Sequence, residues 1–262
     1  MGAVSHEIVE PAREPAPVTQ VSAHACNDAD AIASALALGV EWVEFDVQLD
    51  EAGDPVLAHD APVAVGTAPP LQVALDGLTG PDVAAGAHVD LKFPPGAGGA
   101  DGGDDGCRAH VAAVEQCVAA LGATRMLVTT HDDAAVRAVR DWADAAGHPD
   151  LLVGLSLGRG LSGEPVVHQV GVRFSEVMPR VRVEESRANL MVARKIVARA
   201  GAASYARRED LPLLVWTADT ERELTYWMRP GRAWIVTTNR PARALEIREE
   251  WKTRRRGPVR PA

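Results

Sequence analysis

Eight short β-forming runs, separated by longer alanine-rich stretches with helical spacing, constrain this 262-residue chain more than any other feature. The runs are Val21 to His24, Trp42 to Val47, Ala87 to Phe93, Met126 to Thr130, Leu151 to Leu157, Val170 to Phe174, Leu213 to Thr217 and Ala233 to Thr237. Helical periodicity is clearest at Asp28 to Leu38, Cys107 to Leu121, Asp132 to Ala146, Glu184 to Ala206, Thr220 to Met228 and Pro241 to Trp251. Strands that alternate with helices become parallel neighbours joined by right-handed crossovers. At this length an α/β chain of that pattern fits a closed (β/α)8 TIM barrel better than an open doubly wound sheet. Neither a G-x-G-x-x-G after the first run nor a P-loop is present, which argues against nucleotide binding.

Composition narrows the function. Hydrophobic residues make up 47% and charged residues 24%, a globular balance. The net charge is −9, and no basic face is evident along the chain, so no nucleic-acid partner is expected. No apolar run approaches the roughly 20 residues of a membrane-spanning helix. Residues 1–19 carry three prolines without periodicity and lack the apolar core of a secretory signal. We read 1–19 as a tail, 20–251 as one barrel domain and 252–262 as a basic tail. Cys26, Cys107 and Cys117 are too few, and odd in number, for a disulfide framework, so reduced thiols and a cytoplasmic setting are expected. The stretch Pro94 to Gly106 holds six glycines in thirteen residues; following the third strand, it is either a lid over the barrel mouth or a tolerated linker.

The chemistry starts on the second strand. Alternation puts Val43, Phe45 and Val47 on one face and Glu44 and Asp46 on the other. With the apolar set against the helices, both carboxylates face the barrel mouth. Alone, this pattern also describes a solvated edge strand. The third strand changes that reading, because Val89, Leu91 and Phe93 face the helices while Asp90 and Lys92 face inward. Glu44, Asp46 and Asp90 then meet at one rim, where a hard divalent cation would neutralise them, Mg2+ before Ca2+.

His24 ends the first strand, and His59 follows the apolar stretch Pro55 to Ala58. Two imidazoles beside such a site suit acid–base catalysis near neutral pH. Cys pairs and H-x-x-x-H spacing are absent, which disfavours zinc. His88 shares Asp90's parity but sits lower, as a structural residue. Cys26 is small filler. His131 and Asp132, after the fourth strand, either touch substrate or serve the loop.

The stretch Ser22 to Asp60, SAHACNDADAIASALALGVEWVEFDVQLDEAGDPVLAHD, resembles the start of the glycerophosphodiester phosphodiesterases. Val215-Trp216-Thr217-Ala218-Asp219 and Val236-Thr237-Thr238-Asn239-Arg240-Pro241 are similar to that family's closing segments. The resemblance implies a TIM barrel with one divalent metal held by Glu44, Asp46 and Asp90. It also implies His24 and His59 as acid and base, and Lys92 on the phosphate.

Three departures point to one branch of that family. His24 is followed by Ala25-Cys26-Asn27 rather than Arg-Gly and a Glu motif, the third acid is Asp90 rather than Glu, and Asn239 replaces an Asp. H-x-x-N, D-L-K, W-x-x-D and T-N in these places resemble the phospholipase D toxin-like, sphingomyelinase D-like branch. This likeness implies substrate contacts for Asn27, Trp216, Asp219 and Asn239. The indole of Trp216, with Asp219 nearby, either holds a quaternary ammonium by cation–π attraction or packs the barrel interior.

The expected function is a metal-dependent phosphodiesterase, or a phosphodiester lyase if a substrate hydroxyl attacks in place of water. The substrate would be a glycerophosphodiester or lysophospholipid-like molecule. Two other readings remain at this point: a member that binds a phosphorylated ligand without turnover, and a barrel that eliminates phosphate or pyrophosphate from another substrate.

Overall fold

A computed structural model describes residues 18–93, 107–158 and 179–256. The expected strand Val170 to Phe174 and the glycine-rich stretch Pro94 to Gly106 lie outside these residues. In chain order the elements are β1 (Gln20–Ala23), α1 (Ala29–Leu38), β2 (Trp42–Leu49), β3 (Pro55–Leu57), α2 (Gln72–Leu78), β4 (Gly86–Leu91) and α3 (Arg108–Leu121). There follow β5 (Met126–Thr130), α4 (Asp133–Ala145), β6 (Leu152–Leu157), α5 (Arg180–Ser186), β7 (Leu190–Arg194) and α6 (Lys195–Val197). A π turn (Ala198–Ala202) leads into α7 (Ala203–Arg208), then β8 (Leu213–Trp216), α8 (Glu221–Trp227), β9 (Ile235–Thr238) and α9 (Pro241–Arg256).

β1 pairs in parallel with both β2 and β9, and every other barrel neighbour is also parallel, so the sheet closes into a (β/α)8 barrel. Among the described strands, β3 alone runs antiparallel, folded back on the end of β2. Local signals fix the helix ends. The Asp28 side chain accepts from the Ala31 N–H at the start of α1, and Gly39 closes that helix at φ 73°. Thr220 and Glu223 form a capping box on α8. Among the described residues, no helix is long and apolar enough to cross a membrane.

The core lies in two shells. Outward-facing strand residues such as Val43, Phe45, Val47, Val89 and Leu91 pack under the helices. Inside the barrel, Leu127, Leu190, Val192, Leu214 and Ile235 form a separate plug with Trp42, Leu152 and Trp234 around it. Two inward glycines make room for this plug. A Cβ at Gly154 would sit 2.4 Å from Val192 Cγ2, and one at Gly86 would sit 2.6 Å from the Trp42 ring. The apolar plug fills the N-terminal part of the barrel. Above it the inward positions turn polar, with Ser22, Glu44, His88, Asp90, Thr129, Ser156 and Thr237.

Two sequence expectations need correction. The helix read over Glu184 to Ala206 is interrupted: α5 ends at Ser186, Arg187 turns at φ 60°, and Leu190–Arg194 is strand β7. A strand buried on both faces is continuously apolar, and Leu190 to Ala193 carries no alternation to distinguish it from helix. The helix read to Trp251 continues to Arg256, so the first part of the basic C-terminal stretch is helical. The short helix α2 and strand β3 carried no periodic signal.

Candidate active site at the barrel mouth

β2 and β4 supply the acidic groups, and their register brings them together. Glu44 lies opposite His88 and Asp46 opposite Asp90. One side-chain oxygen from each of Glu44, Asp46 and Asp90 lies within 4.8 Å of the other two. Each carboxylate is individually oriented. Ala25, at φ 55°, donates its N–H to Glu44 Oε2 at 2.5 Å. Asn27 Nδ2 donates to Asp46 Oδ2 at 2.9 Å, and Asn27 Oδ1 accepts from the Asp46 N–H at 2.8 Å. Thr129 donates to Asp90 Oδ1 at 2.7 Å. Lys92, just beyond β4, sits 2.6 Å from Asp90 Oδ2 and 3.4 Å from Asp46 Oδ1.

The electrostatics follow from burial and crowding. Burial, reinforced by Asp46 and Asp90, pushes the Glu44 carboxyl well above the usual range. Burial also pushes Asp90 up, but the Lys92 ammonium outweighs it and holds Asp90 below its ordinary value. Burial would discharge Lys92, yet Asp90 and Asp46 overcome this and raise its pKa, so it stays cationic.

A divalent cation fits these residues. The donors are all carboxylate oxygens, the preferred ligands of a hard ion. Asp46 Oδ1 is buried and makes no hydrogen bond, with the Lys92 ammonium 3.4 Å away.

Both histidines line the same cavity of about 130 Å³, together with Glu44, Asp90, Lys92 and Trp216. His24 is half-buried at the end of β1. Its Nδ1 lies 2.9 Å from Asn239 Oδ1. Asp219 fixes the direction of that amide: its Oδ2 accepts from Asn239 Nδ2 at 2.8 Å and its Oδ1 from the Asn239 N–H at 2.8 Å. The amide therefore presents its oxygen to the ring, which places the His24 proton on Nδ1 and the lone pair on Nε2. His59 is exposed, and its Nδ1 lies 2.7 Å from Asp60 Oδ1, the same type of arrangement with a carboxylate as acceptor.

The remaining expected site residues take varied places. Asn27 commits both ends of its amide to Asp46, Asp219 is engaged with Asn239, and Asn239 with His24. Trp216 reaches the cavity above the apolar plug, with its ring centre 5.7 Å from that of His131. His131 Nδ1 lies 2.8 Å from the Ser156 carbonyl. His88 is buried between Ser22 Oγ at 3.0 Å and Thr129 Oγ1 at 3.1 Å, and burial lowers its pKa to about 3, so it is a neutral strut inside the barrel. Thr129 was not singled out from the sequence, yet it joins His88 to Asp90. Its signal was its inward parity on the strand beside Asp90.

No protein-family model matches the chain, and no curated protein matches it in sequence. Its fold has many solved counterparts. A protein of Silicibacter pomeroyi DSS-3 assigned as a glycerophosphoryl diester phosphodiesterase superposes with a TM-score of 0.68 at 20% identity, covering 91% of this chain and 95% of that one. A glycerophosphodiester phosphodiesterase of Parabacteroides distasonis gives 0.65 at 16% identity, covering 88% and 97%. The fold is that of the glycerophosphodiester phosphodiesterases. An Oleispira antarctica phosphodiesterase, solved with the product sn-glycerol-3-phosphate, gives 0.63 at 15% identity and covers 88% of this chain and 97% of that one.

Proposed function

We propose that the chain is a divalent-metal-dependent phosphodiesterase acting on a glycerophosphodiester or lysophospholipid-like substrate. One observation carries this reading: Glu44, Asp90, Lys92, His24 and His59 line one cavity at the C-terminal end of the barrel, with Asp46 clustered beside the two carboxylates and each histidine holding an Nδ1 partner. The family fold supports it, and so does the product complex of the Oleispira antarctica neighbour.

Glu44, Asp46 and Asp90 would hold the cation, Mg2+ in preference to Ca2+, and when bound it supplies Lewis-acid neutralisation of the phosphate oxygens. Lys92, charged and only 19% exposed, provides a second positive group for a phosphate oxygen. The Asp219–Asn239 pair keeps the His24 Nε2 lone pair available to take a proton from the attacking hydroxyl. His59, held through Nδ1 by Asp60, is placed to protonate the leaving oxygen once it carries its second proton. Trp216 and His131 form an aromatic wall against the remainder of the substrate. The attacker is water or a neighbouring substrate hydroxyl, the second giving a cyclic phosphate, as the toxin-like branch residues favour. We place the protein in the cytoplasm, a setting supported by the buried free thiols of Cys26 and Cys117.

The test is direct. Purified protein with Mg2+ is incubated with glycerophosphodiesters and lysophospholipids and followed by phosphorus NMR. Product from at least one substrate, absent with His24→Ala, is the expected result. Inertness towards all of them, with the variant and the parent alike, would refute the proposal.

A further inference from the structure

A second cavity, of about 880 Å³, lies on the flank of the barrel and shares no lining residue with the mouth. It runs along α8 between the π turn and the end of α9. Four arginines converge on it: Arg199, Arg222, Arg229 and Arg232. Two aromatic rings form its floor. Arg199 stacks 4.1 Å above the centre of the Tyr226 ring, and Arg232 lies 4.8 Å from the same centre while donating to the Tyr226 hydroxyl at 3.1 Å. Arg229 lies 5.6 Å from the Trp251 ring.

The contrast with the other arginines matters. Several guanidinium groups of this acidic protein pair with carboxylates: Arg243 with Glu221, Glu246 and Glu250, Arg187 with Asp141 and Asp144, and Arg248 with Glu41. Among the described residues, none of the four cleft arginines has a carboxylate partner. The one acid lining the cleft, Glu221, is occupied by both ends of the Arg243 fork. Arg199 and Arg232 share one ring and so lie within roughly one Debye length, where their repulsion is not screened out. Ring faces offset part of that repulsion, and an anion would offset the rest. Arg222, Arg229 and Arg232 lie close together along the chain, and the fold adds Arg199 to them.

We propose that this cleft binds a ligand carrying two or more adjacent phosphate groups. Guanidinium forks match phosphate oxygens two at a time, and several forks around one concavity select for multiple charge over a single carboxylate. The ring faces already carry guanidiniums, so recognition falls on the phosphates and not on a stacked base. The phosphates come either from a free small molecule or from a polyphosphorylated lipid headgroup.

Calorimetry with pyrophosphate and with inositol hexakisphosphate, in chelator-containing buffer, tests the first source. Pelleting with phosphatidylcholine vesicles, with and without phosphatidylinositol 4,5-bisphosphate, tests the second. Binding in either arm is expected, weakened at least tenfold in the Arg199→Ala/Arg229→Ala variant and unchanged in His24→Ala. Arg222→Glu, on the exposed face of α8, serves as the independent variant and should weaken binding in the same direction. Absence of binding in both arms would overturn the proposal. Binding that survives the arginine changes, or that disappears with Lys92→Ala at the mouth, would also overturn it.

Discussion

At the residue scale, the account rests on how each ionisable group is held. Asp219 does not reach the cavity chemistry itself; it acts through Asn239 on the tautomer of His24. Asp219→Ala should therefore lower kcat roughly 10- to 100-fold while leaving KM nearly unchanged, because orientation is lost but binding is not. Steady-state kinetics on the wild-type substrate would check this, and a change confined to KM would assign Asp219 to substrate contact instead. The carboxylates, the lysine and the histidines could be read from alternation and strand ends, since inward parity on two successive strands is a local property. The anchoring of Asp46 by Asn27 and of Asp90 by Thr129 could not, because those contacts depend on barrel register between strands. Nor could the left-handed turn at Ala25, which no glycine announces.

At the element scale, inward glycines and helix caps carry much of the specification. Gly154→Ala would drive a methyl into Val192 and Leu190 within the closed barrel, and should destabilise the fold by about 1–3 kcal/mol, measurable by urea denaturation. Wild-type stability in that variant would mean that the plug is looser than described. The α8 cap is a second case. Burial would raise Glu223, but hydrogen bonds from Lys195 and Thr220 prevail and lower its pKa to about 2. A carboxylate with a depressed folded pKa adds stability that is present above its unfolded value, near 4.5, and lost as pH falls towards 2. Glu223→Gln should accordingly flatten the fall in melting temperature between pH 4.5 and 2. An unchanged acid limb would show that the Lys195 contact at 2.9 Å contributes nothing in solution. The elements that escaped the sequence show why periodicity fails. β7 is apolar on both faces, and β3 and α2 are too short to establish a repeat.

At the scale of the whole molecule, the barrel divides its functions along its axis. Tryptophans and aliphatic side chains close the N-terminal part, so the polar groups above them face a cavity with a dry floor. Low dielectric around that cavity strengthens each charge placed there, and it is also what makes three adjoining carboxylates costly without a counter-ion. The central claim is therefore that Glu44, Asp46 and Asp90 exist to hold a cation, and isothermal calorimetry of the folded, chelator-treated protein with MgCl2 tests it most directly. The account predicts uptake of one Mg2+ per chain, abolished in Asp46→Asn that still unfolds cooperatively. No uptake of magnesium, calcium or manganese by the wild type, or undiminished uptake by that variant, would contradict it.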